Sequence, residues 1–180
     1  MRIYIPLLPK DLLSSEISPR VVHAATPTLE RELGSSDREE NELVATLYAA
    51  DSSLALWAAE LGVERGDGDG LGDGLGDGEV RRIVAAAQVP DEWVRVVDGV
   101  GDSAALGDWA FTSEVSSALA LAKPLPWAKA VSIHVDIDEN VPVLLAALAG
   151  DDAAFERSGE AELLWYDVTE REAVAALFTK

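Results

Sequence analysis

Cysteine is missing altogether, and histidine occurs only twice in a chain of 180 residues. The first absence excludes a disulfide scaffold, thiol catalysis and cysteine-ligated zinc or iron–sulfur centres. Cations are scarce too: 14 lysines and arginines face 33 aspartates and glutamates, giving a formal net charge of −19. Nucleic acid and anionic lipid are held by clustered Lys and Arg, so a polyanion of this density repels both. No stretch reaches the ~20 apolar residues of a membrane span. The opening apolar run ends at Pro9-Lys10-Asp11, short of a secretory signal. A cytoplasmic protein is expected, without nucleic acid or membrane as partner.

Apolar residues make up 48% of the chain, enough for one core, so residues 1–180 are expected to form a single domain. Ile3, Ile5 and Leu7 alternate with Tyr4 and Pro6, which is strand periodicity. A short helix from Pro9, a strand over 20–25 and a helix capped by Thr26 and stopped by Gly34 follow. Leu43, Leu47, Ala50, Leu54, Trp57 and Leu61 recur at steps of four and three, predicting a helix over 37–62 with those six on its buried stripe. Strands are expected at 82–89, 118–123, 130–137 and 162–168, with helices over 140–149 and from Thr169 to Phe178. The short segment between the strands at 118–123 and 130–137 suits a hairpin. The fold class expected is α/β, of the α+β kind: a mixed sheet of about five to six strands with helices packed against it.

Residues 66–78, GDGDGLGDGLGDG, hold seven of the 14 glycines. The segment is expected to be a flexible Gly/Asp-rich loop, since nothing in it can bury a core. Its glycines fall only on even positions, whereas a dinucleotide loop needs offsets of zero, two and five, and four aspartates would repel phosphate. Calcium fits Asp67, Asp69, Asp73 and Asp77 better. An EF-hand is excluded, because Gly78 stands where the bidentate glutamate belongs.

The opening MRIYIP, the HAATPTLERE stretch at 23–32, the strand AKAVSIHVDID at 128–138 and ELLWYD at 162–167 together resemble a family of small actinobacterial proteins of unknown function. The resemblance implies one domain spanning the chain and carries no catalytic residue onto it.

The remaining chemistry is sparse. His134 and Asp136 share one face of the 130–137 strand, and with His23 they would make a two-histidine, one-carboxylate divalent-metal site if His23 sat beside His134 across the sheet. Gly101-Asp102-Ser103 resembles a lipase nucleophile block but lacks the partner histidine and reads as a turn. Trp109 and Trp127 fall in loops, where an exposed indole can anchor a partner, while Trp57 and Trp165 fall in regular elements and are expected in the core. No catalytic set is complete. The sequence therefore points to a non-enzymatic interaction or regulatory protein whose acidic surface meets a basic partner. A metal-dependent enzyme on His134, Asp136 and His23 is the alternative, as is a small-ligand binder with a pocket between the long helix and the sheet.

Overall fold

The alternating residues at the start of the chain form β1 (Arg2–Leu7), the middle strand of a seven-stranded sheet. The computed structural model describes residues 1–63, 80–97 and 115–178. Around β1 the sheet takes in β3 (Val21–His23), β4 (Ile83–Gln88), β5 (Val94–Val96), β6 (Ala118–Leu121), β8 (Ala130–Asp136) and β9 (Leu163–Asp167), in the order β5-β6-β3-β1-β4-β8-β9. A separate ribbon joins β2 (Glu16–Ile17) to β7 (Leu125–Pro126). The α/β class stands as expected, with more strands than five or six, and every described pairing is antiparallel. The hairpin expected before residue 130 does not form. Instead β6 pairs with β3 and β5, β8 pairs with β4 and β9, and the intervening Leu125–Pro126 pairs with Glu16–Ile17.

The helices are α1 (Pro9–Leu12), α2 (Pro27–Leu33), α3 (Arg38–Leu61), α4 (Val141–Leu148), α5 (Asp152–Gly159) and α6 (Arg171–Ala176). Asp37 caps α3 by accepting from the Glu39 amide at 2.9 Å, and Gly62 ends it with a left-handed φ of 66° that other residues adopt at a cost. The α5 helix, absent from the sequence reading, is capped by Asp151 accepting from the Ala154 amide. At the last helix the expected cap moves two residues back: Asp167 accepts from the Thr169 amide, and a 3-10 turn precedes α6.

The register divides the sheet into two unlike faces. One carries Ile3, Ile5, Leu7, Ile83, Ile133 and Val135, packed beneath α1, the β2–β7 ribbon and α6 in a continuous aliphatic core. The other carries Tyr4, His23, Val84, Ala86, Ser132, His134 and Asp136, and α3 lies over β1, β3 and β4 on this side. The first half of α3 turns small residues inward, with Ala45, Ala49 and Ala50 buried while Leu43 at the head of the expected stripe is 60% exposed; further along, Leu54 and Trp57 of that stripe are buried as expected, beside Ser52 and Ser53. Small residues let the helix backbone approach the sheet, so its first leucine lies outside the contact.

Candidate functional site

Under α3 the face is threaded with buried polar groups. Ser53 Oγ donates to the Leu7 carbonyl at 2.8 Å and accepts from the Ile83 amide at 2.9 Å, tying the helix to the ends of β1 and β4. Arg82 is fully buried and held by Asp136, with Nε donating at 2.9 Å and Nη2 at 2.8 Å to the two carboxylate oxygens, while its backbone amide adds a bond of 2.7 Å. Asn140 Nδ2 donates both to Asp136 Oδ1 and to the Glu162 carbonyl just before β9, each at 3.1 Å. Asp51, on α3, approaches Arg82 Nη1 to 3.7 Å, too far for a hydrogen bond. Burial pushes the Asp51 carboxyl up to about 6, against the pull of Arg82 and with the push of Asp136.

The three residues of the expected metal site go separate ways. His23 is enclosed, its Nδ1 bonded to Ser117 Oγ at 2.9 Å and its Nε2 to Ser52 Oγ at 2.8 Å, with Tyr48 stacked at 6.2 Å. Burial lowers its pKa to about 3, so the ring is neutral. His134 lies on the same face, but β1 and β4 intervene, a separation of roughly 14 Å at the ~4.8 Å strand spacing. Asp136 spends both oxygens on Arg82 and Asn140. The juxtaposition of His23 with His134 that a metal site required is therefore not formed. Among the described residues no three His, Asp or Glu side chains are grouped to hold a metal ion.

His134 has a different setting. It is half-buried, bonded to Ser132 Oγ at 3.1 Å, and its pKa is lowered by burial and then by the charge of Arg2. It stands in the wall of a groove of about 590 Å³ with Leu43, Thr46 and Leu47 of α3, Leu163 of β9, and the 159–162 connection carrying Glu160 and Glu162. Trp165 is the register partner of His134 and is 60% exposed. Its neighbour Leu164 is 46% exposed. The strand that carries them is the last in the sheet, so alternate backbone N–H and C=O groups of β9 point away from β8 with no strand to meet them among the described residues.

Among the described tryptophans the departure from expectation is at Trp165. Trp127 is buried, with its indole N–H on the Ser14 carbonyl at 3.0 Å and the Arg171 guanidinium 4.8 Å over its ring. Trp165, expected in the core, is the exposed one. Edge position depends on strand order, which local alternation does not carry. Trp57 is buried as expected. Trp109, Ser103 and the Gly/Asp segment with its calcium reading lie outside the described residues. No described helix is long and apolar enough to cross a membrane.

The model of a family of unknown function, DUF6912, matches residues 1–175. The chain belongs to that family, and the match extends over both sheet faces and the β9 edge. No curated protein and no solved structure matches it.

Proposed function

We propose that this protein is a cytoplasmic, non-enzymatic interaction module that takes an extended, basic segment of a partner protein along the outer edge of β9. The observation that carries the reading is the open edge itself, with Trp165 and Leu164 exposed on its two sides. Soluble proteins ordinarily blunt such an edge with lysine, proline or a covering loop, because it templates pairing with another chain. Here the strand reads Leu163-Leu164-Trp165-Tyr166-Asp167, with no proline and no cation.

Charge decides among occupants. Glu160 and Glu162 precede the strand, Asp167 ends it and Glu170 follows. A second copy would bring the same carboxylates to an interface already opposed by −19 per chain. A segment bearing Lys or Arg meets complementary charge at both ends of β9 and gains the main-chain ladder of strand addition.

Calorimetry with a blocked hexapeptide that alternates valine and arginine tests this. Binding is expected to weaken steeply between low and high salt. It is expected to fall at least tenfold in the double variant Leu164→Thr/Trp165→Thr, which keeps strand propensity and net charge. No binding, or equal binding by the variant, overturns the reading.

The groove's volume, about 590 Å³, also falls in the range of small-ligand sites, and it lies between α3 and the sheet. A free small ligand is the second reading. It would fill the groove with no dependence on Leu164, which lies on the opposite side of β9 from His134's partner Trp165.

A further inference from the structure

Resting on the edge-docking reading, we infer that the groove beside β9 is a socket for one arginine side chain of the docked segment. A strand added to β9 runs about 4.8 Å beyond it, and alternate residues of that strand project over the Trp165 face. From there the groove lies across β9, further than a short side chain reaches. Only a long, partly apolar side chain spans that distance while keeping a polar head.

The lining matches arginine along its length. Trp165 lies outside the lining but on the same face of β9 as Leu163, and its exposed indole stands where a guanidinium or its methylene stem passing inward stacks. Leu43, Leu47 and Leu163 give the stem an apolar wall. Glu160 and Glu162 line the β9 end, are exposed, and have no ion-pair partner among the described residues. His134 faces the same space as a neutral ring, so it adds no repulsion to an incoming cation at neutral pH. Glu42, one residue before Leu43 on α3, is already engaged by Tyr4, Arg2 and Arg38. Lysine would satisfy the carboxylates but lacks the planar fork that stacks on an indole and bonds a carboxylate side-on.

Two peptides separate the socket from the edge: the valine–arginine hexapeptide and its counterpart with citrulline, a neutral near-isostere, at the arginine positions. The wild-type protein is expected to bind the arginine peptide at least tenfold more tightly. In Glu160→Gln/Glu162→Gln that preference is expected to shrink to less than threefold, although the chain keeps most of its negative charge. Equal affinity for the two peptides in the wild type overturns the socket and leaves edge docking standing. A preference that survives intact in the double variant also overturns it, because it then belongs to the charge of the whole chain. Failure of both peptides to bind is the failure of the edge reading itself.

Discussion

The two faces of the central sheet are buried alike and built differently. Beneath α1, α6 and the β2–β7 ribbon, Ile3, Ile5, Leu7, Ile83 and Ile133 interlock, and charge enters at the margin, where Arg171 lies over Trp127 and Arg81 over Phe178. Beneath α3 the same strands present Tyr4, His23, Ser132 and Asp136, and Arg82 lies fully enclosed beside Asp51. Area burial dominates the first face. The second gives up some of that return in desolvation and gains fixed geometry: Ser53 pins the helix to β1 and β4, and Asn140 ties the Arg82–Asp136 pair to the residue that leads into β9. The aliphatic face holds the fold together, while the polar face sets where α3 and the β9 edge stand relative to each other, which fixes the shape of the groove.

The sharpest contrast comes from removing one charge. Arg82→Ala leaves Asp136 and Asp51 enclosed without their cation and is expected to cost about 3–5 kcal/mol in chemical denaturation. Arg82→Met combined with Asp136→Leu is expected to cost less than that single change, since a buried pair replaced by apolar groups is often near neutral. Equal losses in the two would break the comparison. On the other face, Ile133→Ala is expected to cost about 2–5 kcal/mol through lost burial and the cavity left behind, with no dependence on pH.

Titration separates the faces further. Asp51 is held near 6 in the fold, above the ordinary 3.8, so its contribution is fully present below pH 3.8 and is lost as pH rises through about 6. It amounts to about 3 kcal/mol across that window. His23 runs the other way: held at about 3, it contributes above pH 6.5 and is lost as pH falls toward 3. Between pH 6 and 4 the two oppose each other. Asp51→Asn is therefore expected to raise stability at pH 8 and to steepen the loss on acidification, which denaturant midpoints at pH 8, 6 and 4.5 would record. A variant with the wild-type pH profile would remove Asp51 from this account.

The smallest effect on stability falls at the edge. Trp165→Thr is expected to change it by less than about 0.5 kcal/mol, as exposed substitutions do, while weakening peptide binding. A large loss of stability would place Trp165 in the architecture rather than in recognition.

Much of the architecture is legible locally. Alternation marks β1 and β8, and Asp37 with Gly62 brackets α3 to within a residue. What is not legible depends on which strands become neighbours. The Pro124-Leu125-Pro126 break reads as a hairpin turn, yet Leu125–Pro126 pairs with Glu16–Ile17 and the chain crosses to the other half of the sheet. Trp165 has the periodicity of a core strand but lies on the last strand of the sheet among the described residues, where it is exposed. Leucine spacing on α3 holds at Leu54 and Trp57 and fails at Leu43, where Ala45 and Ala49 take the inward positions. His134 and Asp136 are rightly placed on one strand face, but Arg82, which occupies Asp136, reads in the sequence as one of two arginines at a strand start.

Backbone NMR of the labelled protein during titration with the valine–arginine hexapeptide tests the central claim most directly. Shift changes are expected to concentrate in β9 and the groove around His134, Leu43 and Leu163, with slowed amide exchange at alternate residues of β9 as a new strand pairs there. Shifts spread over the acidic surface, with β9 amides exchanging as fast as before, would contradict it.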